Sequence, residues 1–170
     1  MGGAVSPPRA PHAPYPPGPG TAADLGGAPW APPAFNEADM SDKPAKLRDL
    51  PLQDRRRMRK IHEGKLEELQ DVDDQVAGVL DVLRRTGQLR RTWIFFVSDN
   101  GYLLGEHRLF HKSQPYEESA GIPFAVRGPG VEPRTVDALV SQVDLMPTAL
   151  DIAGLDPDAG RDLDGRSMLE

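Results

Sequence analysis

Two short runs constrain this chain more than any other feature: TWIFFVS over Thr92–Ser98 and IPFAVRG over Ile122–Gly128. Both are almost continuously apolar, so each predicts a strand buried on its two faces. Helical patterns stand on either side of them. Before the first run, Met58, Ile61, Leu66, Leu69, Val72, Val76, Val79, Leu80 and Leu83 recur mostly at helical steps, predicting an amphipathic helix from Arg56 to Thr86 with Gly87 as its cap. After the second run, VSQVDLMPTALDIAGL predicts another helix, in which Pro147 is tolerated in the first turn if the helix begins near Asp144. Helix, strand, long loop, strand, helix is an α/β order, with a mostly parallel sheet flanked by helices as the expectation.

The first third of the chain does not share this pattern. Among 170 residues there are 18 Pro and 17 Gly, clustered in stretches such as PHAPYPPGPG and GGAPWAPPAF. Proline removes a backbone donor and blocks helix propagation, so residues 1–55 are expected to form a linker or an irregular loop laid over something larger, with residues 56–170 holding the α/β core. A net charge of −6 lacks the basic footprint of a nucleic-acid binder. Zero cysteines exclude disulfides, thiolate metal sites and a cysteine nucleophile within this sequence. No run is apolar enough to span a membrane, and no charged segment followed by an apolar one opens the chain as a signal peptide would. The opening MGGAVS fits an acylation pattern, but a second anchor is missing and the match is read as chance. The acidic residues Glu63, Glu67, Glu68, Asp71, Asp73 and Asp74 are expected on the solvated face of the helix.

The chemistry gathers after the first strand, where the chain reads SDNG. Ligands of open α/β sheets sit outside the carboxyl ends of the strands, and Asp99-Asn100 occupies that position. A carboxylate and an amide oxygen are the hard donors that Mg²⁺ or Ca²⁺ prefers, with Gly101 allowing a sharp turn; a plain turn needs the same residue types. Further along the loop, Lys112 offers a fixed positive charge for an anionic group. His107 and His111 share that loop without metal-ligand spacing and read as hydrogen-bonded or exposed rings. His12, in Pro11-His12-Ala13-Pro14, is a lone imidazole among prolines.

In order along the chain, APHAP, FNEADMSDKP, DVDDQVAGVLDVLRRTGQLRRTWIFFVSDNGYLLGEHRLFHK, YEESAGIPFAVRGPGV, VDLMPTALDIAG and DLDGRSML resemble the C-terminal portion of a sulfatase, in the alkaline-phosphatase-like superfamily. Within that family the chain is most similar to enzymes of the N-acetylglucosamine-6-sulfatase and arylsulfatase kinds. The resemblance implies a partial alkaline-phosphatase-like fold whose N-terminal half is missing from this sequence. It also implies that Asp99 and Asn100 ligate a divalent metal, usually Ca²⁺, and that His12 and Lys112 contact the sulfate ester of a sulfated small molecule or glycan.

Departures accompany the likeness. Sulfatases commonly carry Gly before the active-site lysine, where this chain has His111. The family's nucleophile is a formylglycine made from the Cys or Ser of a Cys/Ser-x-Pro-Ser-Arg motif, and Ser6 in SPPRA lacks the closing Ser-Arg. The early-strand metal carboxylates are absent too. The expectation is therefore a sulfatase by family whose site is incomplete in this chain, since nucleophilic attack and metal stabilisation are both needed. The alternatives are a phosphate or phosphonate ester hydrolase of the same superfamily, and a non-catalytic truncated product or gene fragment that binds an ion or a partner.

Overall fold

The longest element is the helix that the periodicity predicts. In the computed structural model, which describes residues 2–6, 8–12, 27, 29–157 and 162–169, it runs over Arg55–Arg85 as α2. Asp54 starts it by accepting from the backbone N–H groups of Arg56 and Arg57, a cap that contributes roughly 1 kcal/mol. The helix ends where Gly87 takes φ +69°, with Gly87 N–H bonded to the Arg84 carbonyl and Gln88 N–H to that of Leu83. Ala13 and Pro14 of the histidine motif, and much of the proline-rich stretch, lie outside the described residues.

The chain divides into two units. One is Pro7–Pro129 and the other joins Met1–Ser6 to Gly130–Glu170. In the larger unit a one-turn helix α1 (Ala45–Arg48) precedes α2. Then come β1 (Ile94–Val97), β2 (Leu103–Leu104), β3 (Phe110–His111), α3 (Glu117–Ala120) and β4 (Phe124–Arg127). Its core gathers Phe35, Met58 and Leu104, with Trp30, Ile61, Tyr102 and Phe110 packed around them. Met58 has no exposed surface, so Met58→Ala is expected to cost about 2–5 kcal/mol.

The α/β class holds, but the strand pairing within the chain does not follow the parallel expectation. β1 pairs with β4 antiparallel, Phe95 opposite Val126 and Phe96 opposite Ala125, and β2 pairs antiparallel with β3. The connection explains why. A parallel return needs a crossover that carries the chain back along the strand, usually a helix of several turns. Between β1 and β4 the chain instead makes the β2–β3 hairpin and the four-residue α3, so it re-enters from the end where β1 stopped.

The second unit is organised around α4 (Leu145–Ile152), preceded by a 3₁₀ turn over Gln142–Asp144. Pro147 lies in the first turn of α4 as expected, where its missing N–H has no helical partner to lose. Buried Thr148 donates to the Asp144 carbonyl (2.6 Å) and accepts from the Met168 N–H (2.9 Å). Ser167 donates to Asp151, so the DLDGRSML segment is tied to the helix at successive turns.

Candidate active site

β1 delivers Asp99 and Asn100 at its carboxyl end, and local hydrogen bonds shape the turn that holds them. Ser98 Oγ donates to the Asn100 carbonyl at 2.9 Å, and Asn100 Nδ2 donates to the Gly101 carbonyl at 2.8 Å. Gly101 then donates its N–H to the Ser119 carbonyl at 3.0 Å. A Cβ at Gly101 would collide with the carbonyl oxygens of Glu118 and Gly121. Glycine is therefore required by close approach to α3 and not by a left-handed turn, which is where the turn differs from its sequence reading. Asp99 is exposed and Asn100 half-buried.

The Asn100 amide oxygen faces Lys112, whose Nζ donates to it at 2.9 Å. Lys112 is carried on a tight corner, between His111 at φ +83° and Ser113 at φ +69°. A β-carbon is strained in that region, which gives the usual glycine before this lysine a physical reason. Here the strain is offset by contacts. His111 Nδ1 lies 2.9 Å from the Tyr102 hydroxyl, and its ring lies 4.0 Å from that of Phe110.

The other loop histidine anchors the loop's base. His107 Nδ1 is 2.7 Å from Glu37, its Nε2 is 3.6 Å from Glu118, and its ring stacks on Tyr116. Glu37 also pairs with Lys43 at 3.0 Å, and the two partners, His107 first, hold its carboxyl below the ordinary value. Arg108 donates to the carbonyls of Glu37 and Ala38 in the FNEADMSDKP segment and to that of Leu50 just after it, so the loop is fastened to this part of the chain.

His12 is exposed, in a turn closed by its N–H to the Arg9 carbonyl at 3.0 Å. The turn is held by a residue that sequence reasoning missed. Lys65 of α2 donates to the Pro11 carbonyl at 2.9 Å, and its ammonium lies 4.0 Å from the centre of the Tyr102 ring. Burial pushes the Lys65 ammonium toward its neutral form, Glu68 opposes that shift, and repulsion from Lys112 adds to it. Glu68, expected in solvent, is only 5% exposed and keeps Oε2 without a hydrogen-bond partner. Burial raises its pKa, against the attraction of Lys65, Arg9 and His12. The signal for both residues was present: Ile61, Lys65, Glu68 and Val72 follow one another at helical steps, so two charges interrupt an apolar stripe.

Asn100 and Lys112 thus meet directly, while His12 is linked toward them through Lys65 and Tyr102. As a cation site the arrangement is partial. Ca²⁺ takes about six to eight oxygen ligands, and among the described residues no cluster of three or more Asp, Glu or His side chains is placed to hold a metal. Asp99 and Asn100 have the right donor chemistry for part of such a cage and supply no more than part.

A strand ending in hard oxygen donors and a lysine looped back onto them fit a portion of an alkaline-phosphatase-like fold. The sulfatase family pattern matches residues 8–155, and the chain belongs to that family. It is 46% identical over 103 residues to the human N-acetylglucosamine-6-sulfatase, covering 59% of this chain and 18% of the relative. Among solved structures it is similar to BT4656 in complex with its substrate D-glucosamine-2-N,6-O-disulfate, at TM-score 0.59 and 29% identity over 78% of this chain and 28% of that one. It is also similar to a phosphonate monoester hydrolase from Silicibacter pomeroyi, at TM-score 0.59 and 31% identity over 71% of this chain and 24% of the other. The chain spans between 16% and 22% of the length of the first curated relatives it matches. Among the described residues, no helix is long and apolar enough to cross a membrane.

Proposed function

We propose that residues 1–55 and 56–170 are parts of one sulfatase catalytic domain that cleaves a sulfate ester on a sulfated sugar. Asp99 and Asn100 are two ligands of its divalent metal, Ca²⁺ by family habit, and Lys112 and His12 contact the ester. The observation that carries this reading is the 2.9 Å bond between Lys112 and Asn100, which puts a cationic side chain against the proposed metal edge. When bound, the metal supplies positive charge that polarises the ester and stabilises charge developing in the transition state. Lys112 holds an ester oxygen by charge-assisted hydrogen bonding, and His12, on its turn, offers an imidazole N–H to another. The sugar preference is supported by the similarity to the human N-acetylglucosamine-6-sulfatase.

Nothing in these 170 residues supplies the nucleophile: there is no cysteine, and Ser6 is followed by Pro-Pro-Arg-Ala. Turnover therefore needs a formylglycine and further carboxylates from outside the sequence. The similarity to a phosphonate monoester hydrolase supports a second reading, hydrolysis of a phosphate or phosphonate monoester at the same site. The test is to co-express the chain with a nucleophile-bearing sulfatase half and compare an aryl sulfate with an aryl phosphonate. Faster cleavage of the sulfate is expected; a preference for the phosphonate would overturn the sulfatase reading in favour of the second.

A further inference from the structure

Lys65 is the charge in this site whose placement is hardest to explain by folding alone. It stands on the buried stripe of α2, between Ile61 and Val72, where an apolar side chain would pack with no loss of solvation. Its ammonium donates to the Pro11 carbonyl at 2.9 Å and lies over the face of Tyr102 at 4.0 Å. Both anchors belong to the proposed site: Pro11 precedes His12, and the Tyr102 hydroxyl meets His111, which precedes Lys112. Tyr102 thus stands between the two lysines, its ring against the Lys65 ammonium and its hydroxyl against the residue before Lys112, and both lysines are only partly exposed; repulsion from Lys112 adds to the burial that lowers the Lys65 pKa. Two like charges held together away from bulk water cost free energy that an anion placed against both would offset. Glu68, one turn along α2, balances part of the charge from within the protein, where its 5% exposure leaves it no route to a ligand in solvent.

We propose that Lys65 is a second cation of the substrate site, acting with Lys112 on the oxygens of a tetrahedral oxyanion ester, either sulfate or phosphate. The proposal rests on the reading of Lys112 as a substrate contact. The π face of Tyr102 and the Pro11 carbonyl pre-set the ammonium, so little rotamer freedom remains to be lost when the anion arrives. The same lysine ties the His12 turn, through the Pro11 carbonyl, to the Tyr102 ring beside the Lys112 loop.

The experiment uses the full 170-residue chain and titrates it with inorganic sulfate and, separately, inorganic phosphate at constant ionic strength, followed by amide and lysine Cε NMR signals. Lys65→Gln retains a donor for the Pro11 carbonyl and removes the charge. It is expected to bind either oxyanion about tenfold more weakly, the scale of one charge-assisted hydrogen bond, with its melting temperature unchanged. Lys112→Ala is expected to lose binding to a similar degree. Binding that is lost in Lys112→Ala and kept in Lys65→Gln overturns the proposal and leaves the site reading intact. An absence of oxyanion binding in the wild-type chain overturns both. If Lys65→Gln does not fold, the wild-type titration decides: the Lys65 Cε signal is expected to move with that of Lys112, and a Lys65 signal that stays still refutes its role. The tighter of the two anions distinguishes a sulfate from a phosphate ester.

Discussion

Lys112 donates to the amide oxygen of Asn100 across 2.9 Å, joining residues that lie 12 positions apart in the chain. The oxygen proposed for a metal is thus the one a lysine already holds, and the two partners can be separated by mutation. In a co-expressed, completed enzyme, Asp99→Ala is expected to lose most of the bound metal, because it removes a ligand and a unit of compensating charge. Asn100→Ala should lose less, since an amide contributes a dipole only. Lys112→Ala should keep its metal while raising KM or lowering kcat. Metal analysis beside aryl-sulfate kinetics separates the three; full metal content in Asp99→Ala would reduce SDNG to an ordinary turn.

Two glycines should respond to alanine with opposite signs. At Gly101 the added methyl meets the backbone oxygens of Glu118 and Gly121, which cannot move without shifting α3. The expected loss is about 1–3 kcal/mol, the scale of overpacking. At Gly78, inside α2, nothing lies within 4 Å of the added methyl, and Ala is the better helix former by roughly 0.5–1 kcal/mol. Urea unfolding of both variants checks the pair, and stabilisation by Gly101→Ala would show that the Asp-Asn turn does not depend on that close approach.

Much of the fold was legible because it rests on local chemistry. The 3.6-residue period, the Gly87 cap and the apolar runs placed α2, β1 and β4 to within a residue or two of Arg55–Arg85, Ile94–Val97 and Phe124–Arg127. Strand direction was not legible, since it depends on whether the connection crosses back over the sheet, and the Lys112 loop returns without doing so. Asp99, Asn100 and Lys112 stood out as oxygen donors and a fixed charge beyond β1, whereas family resemblance alone singled out His12 and suggested the roles of all four. Lys65 and Glu68 were missed, although they interrupt an apolar stripe, because a charge on a helix reads as solvated and the Pro11 carbonyl that Lys65 meets lies 54 positions away in the chain. Gly101 was read as a turn residue when its constraint is tertiary.

The chain alone is expected to release no product from an aryl sulfate, with or without Ca²⁺, because it carries no nucleophile motif. It should also bind a hydrophobic dye: Leu69, Val76 and Val79 recur along one side of α2 and all are exposed. Val79→Lys should lower dye binding and self-association without shifting the melting temperature. Turnover that survives purification and vanishes in Lys112→Ala would sink the first expectation, and undiminished dye binding in Val79→Lys the second.

Asp144 should make the second unit acid-sensitive. Its carboxylate accepts from the backbone N–H groups of Arg166 (3.0 Å) and Ser141 (2.8 Å), and these bonds, Arg166 first, hold its pKa below the ordinary 3.8. A carboxyl more acidic in the folded than in the unfolded chain binds its proton more readily when unfolded. Its contribution to stability is complete above the ordinary value and is lost as pH falls through the folded one. Asp144→Asn keeps the shape but replaces one accepting oxygen with an NH₂ group, so it is expected to be less stable than the wild type at neutral pH. The gap should close on titration from about pH 5 to about pH 2, as the wild-type carboxylate is neutralised. Glu37, whose pKa is also lowered, lies in the other unit and is present in both proteins, so the difference between the curves isolates Asp144. Urea unfolding followed through the amide signals of α4 measures it, and a gap that stays constant across that range would show that the two backbone bonds do not depend on the charge.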